Sequence, residues 1–246
     1  MHDTPPHPPP SSLDHPVWVA LHGRQRRFGR SAGGACRYDP ELSPFCALDP
    51  AALAAGGPAL AAAWGDLARL VGPGGLAVLV AGGDASPTAP VGWSVERAGR
   101  GLQMVAETVA TRAVPGAVRL GPADSAEMTA LVELAQPGPF LARTVELGGY
   151  VGRRARGLLV AMAGERMGPP GFTEISAVAT HPTWRGRGLA SDLVGHVART
   201  IADRGDVPFL HVAESNGAAI RLYRRLGFSV HQEVTFTGLR APERIG

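Results

Sequence analysis

One strand-loop-helix unit constrains this chain more than any other feature. Residues 174–190 read EISAVATHPTWRGRGLA. Alternating strand residues run into Arg185-Gly186-Arg187-Gly188, and a helix follows with Leu189, Leu193, Val194, Val197 and Ile201 along one stripe. Glycine lowers helix propensity where a helix begins, so its presence here needs a reason. A helix N-terminus offers unpaired N–H groups and the positive end of its dipole. Glycines let an anion approach those N–H groups without meeting a Cβ, and Arg185 and Arg187 can add charge-assisted hydrogen bonds. The unit reads as a pyrophosphate site; the plainer alternative is an arginine-rich glycine turn that opens a helix.

The surrounding chain places the unit in a mixed α/β fold. After the proline-rich start MHDTPPHPPPSSLDHP, read as a disordered tail over 1–16, an Ala/Gly/Pro-rich half runs over 17–115. There, residues 49–71 read as a helix broken at Gly56-Gly57-Pro58, 74–82 as an apolar strand, and 92–109 as two strands around a Gly99-Arg100-Gly101 turn. Val114-Pro115-Gly116 reads as a linker. From 116 to 246 the pattern becomes a strand, a helix with Asp124 and Glu127 at capping-box spacing, a short helix, and a hairpin over 150–167. The strand-loop-helix unit follows, then an apolar strand, a helix from Asn216, and a final strand pair over 228–239.

Composition removes some chemistry. All 24 basic residues are arginine, so neither a Walker A loop nor a pyridoxal Schiff base can be built. A net charge of +3 does not by itself argue for nucleic acid. No apolar run reaches membrane-spanning length, and the start lacks the basic-then-apolar order of a signal peptide. Cys36 and Cys46 form neither a disulfide framework nor a CxxC metal pair, so a reduced, cytoplasmic setting without metal is expected. A dinucleotide fingerprint would need a third glycine where Ser191 stands.

Arg185-x-x-Gly188-x-Ala190 resembles the coenzyme A loop of the GNAT acyltransferases. With GFTEISAVATHP before it and PFLHVAESNGAAIRLYRRLGF after it, residues 116–237 look like the glycine N-acyltransferase-like branch of that superfamily. The likeness over 17–115 is loose, as for a degenerate GNAT-like half. The resemblance implies a mixed twisted sheet flanked by helices. It also implies transfer of an acyl group, most often acetyl, from acetyl-CoA to a primary amine by direct attack in a ternary complex. The loop amides of Arg185, Gly186, Arg187, Gly188, Leu189 and Ala190 would grip the pyrophosphate. The strand Ala177-Val178-Ala179-Thr180 would pair with the pantetheine arm, with the Val178 N–H as oxyanion donor.

Tyr223 stands at the place of the family's acid that protonates the leaving thiolate; its alternative is an ordinary core tyrosine. Asn216 either caps its helix or reaches the cofactor. Glu174 is the candidate base, since alternation sets it with Ser176, Val178 and Thr180 against Thr173, Ile175, Ala177 and Ala179; Glu165 is the reserve, and a water relay is the alternative. Arg143 could line the acceptor pocket or lie on the surface. The expected acceptor is a small amine or an amino-acid-like molecule, with no nucleic acid or membrane partner, and the fold allows a homodimer. A longer acyl-CoA and a non-catalytic coenzyme A sensor or scaffold remain as alternatives.

Gly29-Arg-Ser31-Ala-Gly33 matches the hydrolase nucleophile elbow but lacks the buried strand before it and the helix after it. The basic run 24–30 reads as a solvated loop, and His211 as a satisfied core residue.

Overall fold

In the computed structural model, which describes residues 12–82, 87–106, 108 and 116–244, one mixed sheet runs through both halves of the chain. The first half supplies α1 (Pro16–His22), β1 (Gly29–Ala32), β2 (Ala35–Tyr38), β3 (Phe45–Leu48), α2 (Pro50–Ala55), α3 (Gly57–Val71), β4 (Leu76–Gly82) and β5 (Ser94–Val105). The second supplies β6 (Ala117–Leu120), α4 (Ser125–Ala135), β7 (Tyr150–Ala155), β8 (Leu158–Glu165) and β9 (Phe172–Thr180). It continues with α5 (Leu189–Asp203), β10 (Val207–Ala213), α6 (Gly217–Arg225) and β11 (Ser229–Arg240). The strand order is β1-β2-β3-β4-β11-β5-β10-β9-β8-β7-β6. Neighbours are antiparallel except β3 with β4 and β9 with β10.

Helices cover both faces, as the expected α/β class requires. On one face α5 and α6 bring Leu193, Val194, Val197, Ile201, Ile220 and Tyr223 onto Met104, Ile175, Leu210 and Val212, while α3 packs Trp64 and Leu67 on Leu79 and Leu239. On the other, α1 packs Val17 and Leu21 with Tyr38, Phe45 and Phe209, and α4 packs Met128 and Leu131 with Tyr150 and Met162. The α5 stripe read from the sequence is buried as expected, apart from the partly buried Leu189.

Several local expectations change. Ser94–Val105 is one strand that passes straight through Gly99-Arg100-Gly101 rather than turning there. Gly101 lies under Phe236, whose ring would stand 2.8 Å from an added Cβ, so this glycine serves close approach of a side chain. Ser229–Arg240 is likewise one strand rather than a pair, because it has partners on both edges, β4 and β5. Asp124 precedes α4 without a side-chain cap; its carboxylate accepts the Gly121 N–H (2.9 Å) and, with Glu127, holds Arg154 (2.7 Å each).

The division expected at 115/116 does not divide the sheet. β11 of the second half lies between β4 and β5 of the first, and β5 lies between β11 and β10. Residues 109–115, with most of the expected linker, lie outside the described residues, as do 1–11 of the expected tail. Within 12–16, however, Leu13 is buried with Val17 and Leu21. Its carbonyl accepts from the side chains of Gln103 (3.0 Å) and Gln232 (3.2 Å).

Candidate active site

β9 and β10 run parallel from Phe172↔Val207 to Ile175↔Leu210 and share no ladder beyond that point. The cause is a bulge in β9. Opposite β8 the register slips between Met162↔Ala179 and Gly164↔Ser176, so two residues of β9 face one of β8. Ala177 sits in the bulge with φ at 52°, a conformation that costs an L-residue about 1–2 kcal/mol. The expected alternation therefore fails at this point. Ile175 and Val178 pack with α5 and α6, whereas Ala177 and Ala179 pack with α4.

A cavity of about 1030 Å³ passes through the resulting opening. Ser176, Ala177, Val178 and Thr180 line it from β9; Ala213, Asn216, Ala219, Leu222 and Tyr223 line it from β10 and α6. Phe45, Val78 and Phe236 line it from the opposite face of the sheet. Thr180 Oγ1 is buried there without a hydrogen-bond partner among the described residues. An unpartnered buried hydroxyl costs free energy unless a ligand satisfies it.

Arg185 and Ala190 line the same cavity, and the Arg185 Nε donates to the Thr180 carbonyl (3.4 Å). Gly186 and Gly188 have φ of 76° and 78°, and an added Cβ at either would meet nothing within 4 Å. Their conformation requires glycine, and the space before them is open to a ligand. Gly188 is the N-cap of α5. Arg187 departs from its expected role: its guanidinium stacks on Trp184, 4.4 Å from the ring centroid. It does not line the cavity, and neither do Gly186, Gly188 and Leu189. Open loop, free strand edge and orphan hydroxyl fit an extended ligand with an anionic end, as coenzyme A is.

Tyr223 is buried, and burial pushes its hydroxyl up to about 12. A tyrosine hydroxyl carries its proton at neutral pH even at its ordinary value, and burial tightens its hold on it. Asn216 caps α6, its Oδ1 accepting from the Ala219 N–H (3.1 Å), and the residue also lines the cavity.

Glu174 differs from its expectation. It does face away from Ile175, but it is fully buried and does not reach the cavity. Arg166 grips it with two bonds (2.8 and 2.6 Å), and His211 Nδ1 stands 2.8 Å from Oε1. Burial raises its pKa, but Arg166 and the two side-chain bonds outweigh burial and hold the carboxyl at about 2. A carboxylate so engaged is a poor proton acceptor. Glu165 does not line the cavity and is held by Arg204 (2.8 Å). Arg143 is likewise committed, to Glu146 (2.8 Å) and Glu41 (3.0 Å), away from the cavity. Ser31 lies exposed in β1.

Arg166 and His211 themselves line the cavity and were missed as site residues. Gln232 donates to Gln103 Oε1 (3.1 Å), which leaves the Gln103 amide N–H groups for Leu13 O and His211 Nε2 (3.2 Å). His211 is thereby set as the Nδ1–H tautomer, donating to Glu174. Alternation in PFLHV places His211 opposite Leu210 and Val212; nothing local pairs it with Glu174. Among the described residues no group of His, Cys, Asp and Glu is arranged to hold a metal ion, and no helix is long and apolar enough to cross a membrane.

The model of the FR47-like protein family matches residues 150–237. The N-alpha-acetyltransferase RimI of Mycobacterium tuberculosis is 40% identical over 84 residues, 32% of this chain and 51% of that one. A mycothiol acetyltransferase of Mycobacterium marinum is 37% identical over 82 residues, 30% of this chain and 26% of that one. The matched segment thus spans about half of the first of these curated relatives and about a quarter of the second. The likeness to a solved GNAT-family structure from Novosphingobium aromaticivorans extends over nearly the whole chain: 40% identity, 95% of this chain and 99% of that one, TM-score 0.83. A GCN5-related N-acetyltransferase from Kribbella flavida, at 19% identity and TM-score 0.54 over 95% and 94%, shares the fold. The split strands, the glycine loop and the full-length match together place this chain in the GNAT family of acetyltransferases.

Proposed function

We propose that the chain is an acetyl-CoA-dependent N-acetyltransferase that acts on a small or amino-acid-like amine in a ternary complex, in the cytoplasm. The observation that carries this reading is the cavity through the β9–β10 opening, which joins the Thr180–Arg185 end to Tyr223 and to the opposite face. The amides of Gly186 to Ala190 and the Arg185 guanidinium hold the pyrophosphate. Arg187 contributes its backbone there, its side chain being stacked on Trp184. The free edge from Ser176 to Thr180 pairs with the pantetheine arm, Thr180 Oγ1 gains the partner it lacks, and Asn216 borders the same arm. The Val178 N–H receives the developing oxyanion, and Tyr223 gives its proton to the departing thiolate. With Glu174 closed in its ion pair, the acceptor ammonium loses its proton to water before the free amine attacks, and Glu174 holds Arg166 and His211 in the wall. The finer kinship, to the glycine N-acyltransferase-like branch, rests on the residue order over 171–237 and on the two-half chain.

Calorimetric titration with acetyl-CoA tests this reading, with dephospho-CoA beside it and Gly188→Val as control. One-site binding that Gly188→Val abolishes is expected, since valine cannot hold the φ of 78°. Absence of saturable binding to the wild-type protein sinks the transferase reading.

A further inference from the structure

The far wall of the cavity is a sheet face contributed mainly by the first half of the chain. Register places Phe236 opposite Gly99, and Gly238 opposite both Arg97 and Val78. These residues line the cavity together with Phe45. The surface is an apolar floor edged by Arg97 and by the Arg240–Glu96 ion pair.

Five arginines line this cavity: Arg97, Arg100, Arg166, Arg185 and Arg240. Arg166 is spent on Glu174. Arg100 meets Glu233 (2.5 Å) and Glu214 (3.2 Å), and Arg240 meets Glu96 (2.8 Å). Arg185 lies at the loop end, bonded to the Thr180 carbonyl. Arg97 alone of the five has neither an acidic partner among the described residues nor a place at the loop. The room around it is kept by absence of side chains. An added Cβ at Gly99 would meet nothing within 4 Å, and one at Gly238 would come no closer than 3.7 Å to Arg97. At the bulge beside it, where the register slips between Gly238↔Arg97 and Leu239↔Val95, the carboxylate of the adjacent Glu96 is taken by Arg240.

We infer that Arg97 is a specificity residue: it binds an anionic group, a carboxylate, on the acceptor amine, whose apolar body lies over Phe236, Val78 and Phe45. This rests on the transferase reading above. A guanidinium beside open space matches a carboxylate bidentately. The acceptor's amine then points through the opening toward Val178 and Tyr223, while its acid stays at the mouth. Arg97 touches no reacting atom, so its effect falls on KM.

The test compares matched amines in the full chain: ω-amino carboxylates of increasing length, leucine and phenylalanine, each beside its carboxamide. Thiol release from acetyl-CoA gives kcat and KM. A second readout needs no turnover: modification of Arg97 by phenylglyoxal, followed by mass spectrometry, with the exposed Arg119 as internal reference. The expected result is a lower KM for at least one carboxylate than for its amide. Arg97→Ala then raises that KM about tenfold, as the loss of one solvent-exposed charged contact would, and removes the difference within the pair. Arg97→Glu shifts preference toward diamines. The same carboxylate slows modification of Arg97 and not of Arg119. Equal values within every pair together with equal modification overturn the inference, and so does a preference that survives Arg97→Ala. Acetyl-CoA titration of the same samples separates the failures: binding retained with no role for Arg97 removes the acceptor assignment alone, and no binding removes the transferase reading.

Discussion

The sequence suggests opposite proton roles for Tyr223 and Glu174, but the structure sets only Tyr223 against the cavity and closes Glu174 in an ion pair. Tyr223 sits against the cavity with a protonated hydroxyl whose pKa burial raises further. Tyr223→Phe should lower kcat about a hundredfold, within the usual range for a lost general acid, and leave the acetyl-CoA affinity near wild type; equal turnover across pH would retire the role. Glu174 acts on stability. Removing one partner of a buried ion pair costs about 3–5 kcal/mol, so Glu174→Gln should lower the unfolding midpoint in thermal or urea melts. Because its folded pKa of about 2 lies below the ordinary 4.5, its contribution is complete above the ordinary value. It is lost as pH falls from there toward 2. Wild type should lose stability over that window more steeply than Glu174→Gln. A variant as stable as wild type, with an altered pH–rate profile, would restore Glu174 as the base. The sequence showed which face of β9 carries this residue. It could not show that Arg166, eight residues away across the β8–β9 connection, and His211, on another strand, close around it.

The decisive element is the bulge at Ala177. Without it β9 and β10 would continue their ladder, and no opening would exist. Ala177→Val puts a β-branched side chain at φ 52°, which should cost more than about 2 kcal/mol and weaken acetyl-CoA binding by displacing Ser176–Thr180. Ala177→Gly should keep both stability and binding, and binding in the two variants can be compared by calorimetry. Weak binding by the glycine variant would mean that the alanine methyl, not the bulge, shapes the site. The glycine loop and the α5 stripe were legible because glycine spacing and helical period are local signals. The bulge was not: Ile175, Ala177 and Ala179 alternate in sequence as an unbroken strand would, and only the pairing with β8 reveals the extra residue.

The whole molecule is less divisible than its sequence suggests. β5 of the first half stands between β10 and β11 of the second, pairing Leu102–Val105 with both, and Met104 fills the core beneath α5 and α6. A chain of 116–246 alone should therefore show no cooperative urea unfolding, and co-expression with 1–115 should restore it. A cooperative transition for the fragment by circular dichroism would show instead that the second half folds without β5. The same interleaving gives the cavity its far wall, where Arg97 of the first half and Phe236 of the second stand side by side facing the β9–β10 opening. By itself the sequence determined most elements of the second half, the glycine-arginine loop ahead of α5, the place of Tyr223 and the family resemblance, because these depend on periodicity and short spacings. Only the tertiary structure decided the interleaved strand order, the bulge that opens the sheet, the closure of Glu174 and the isolation of Arg97. Each depends on which distant segments lie side by side, and a strand's own residues carry no mark of the neighbour it will meet.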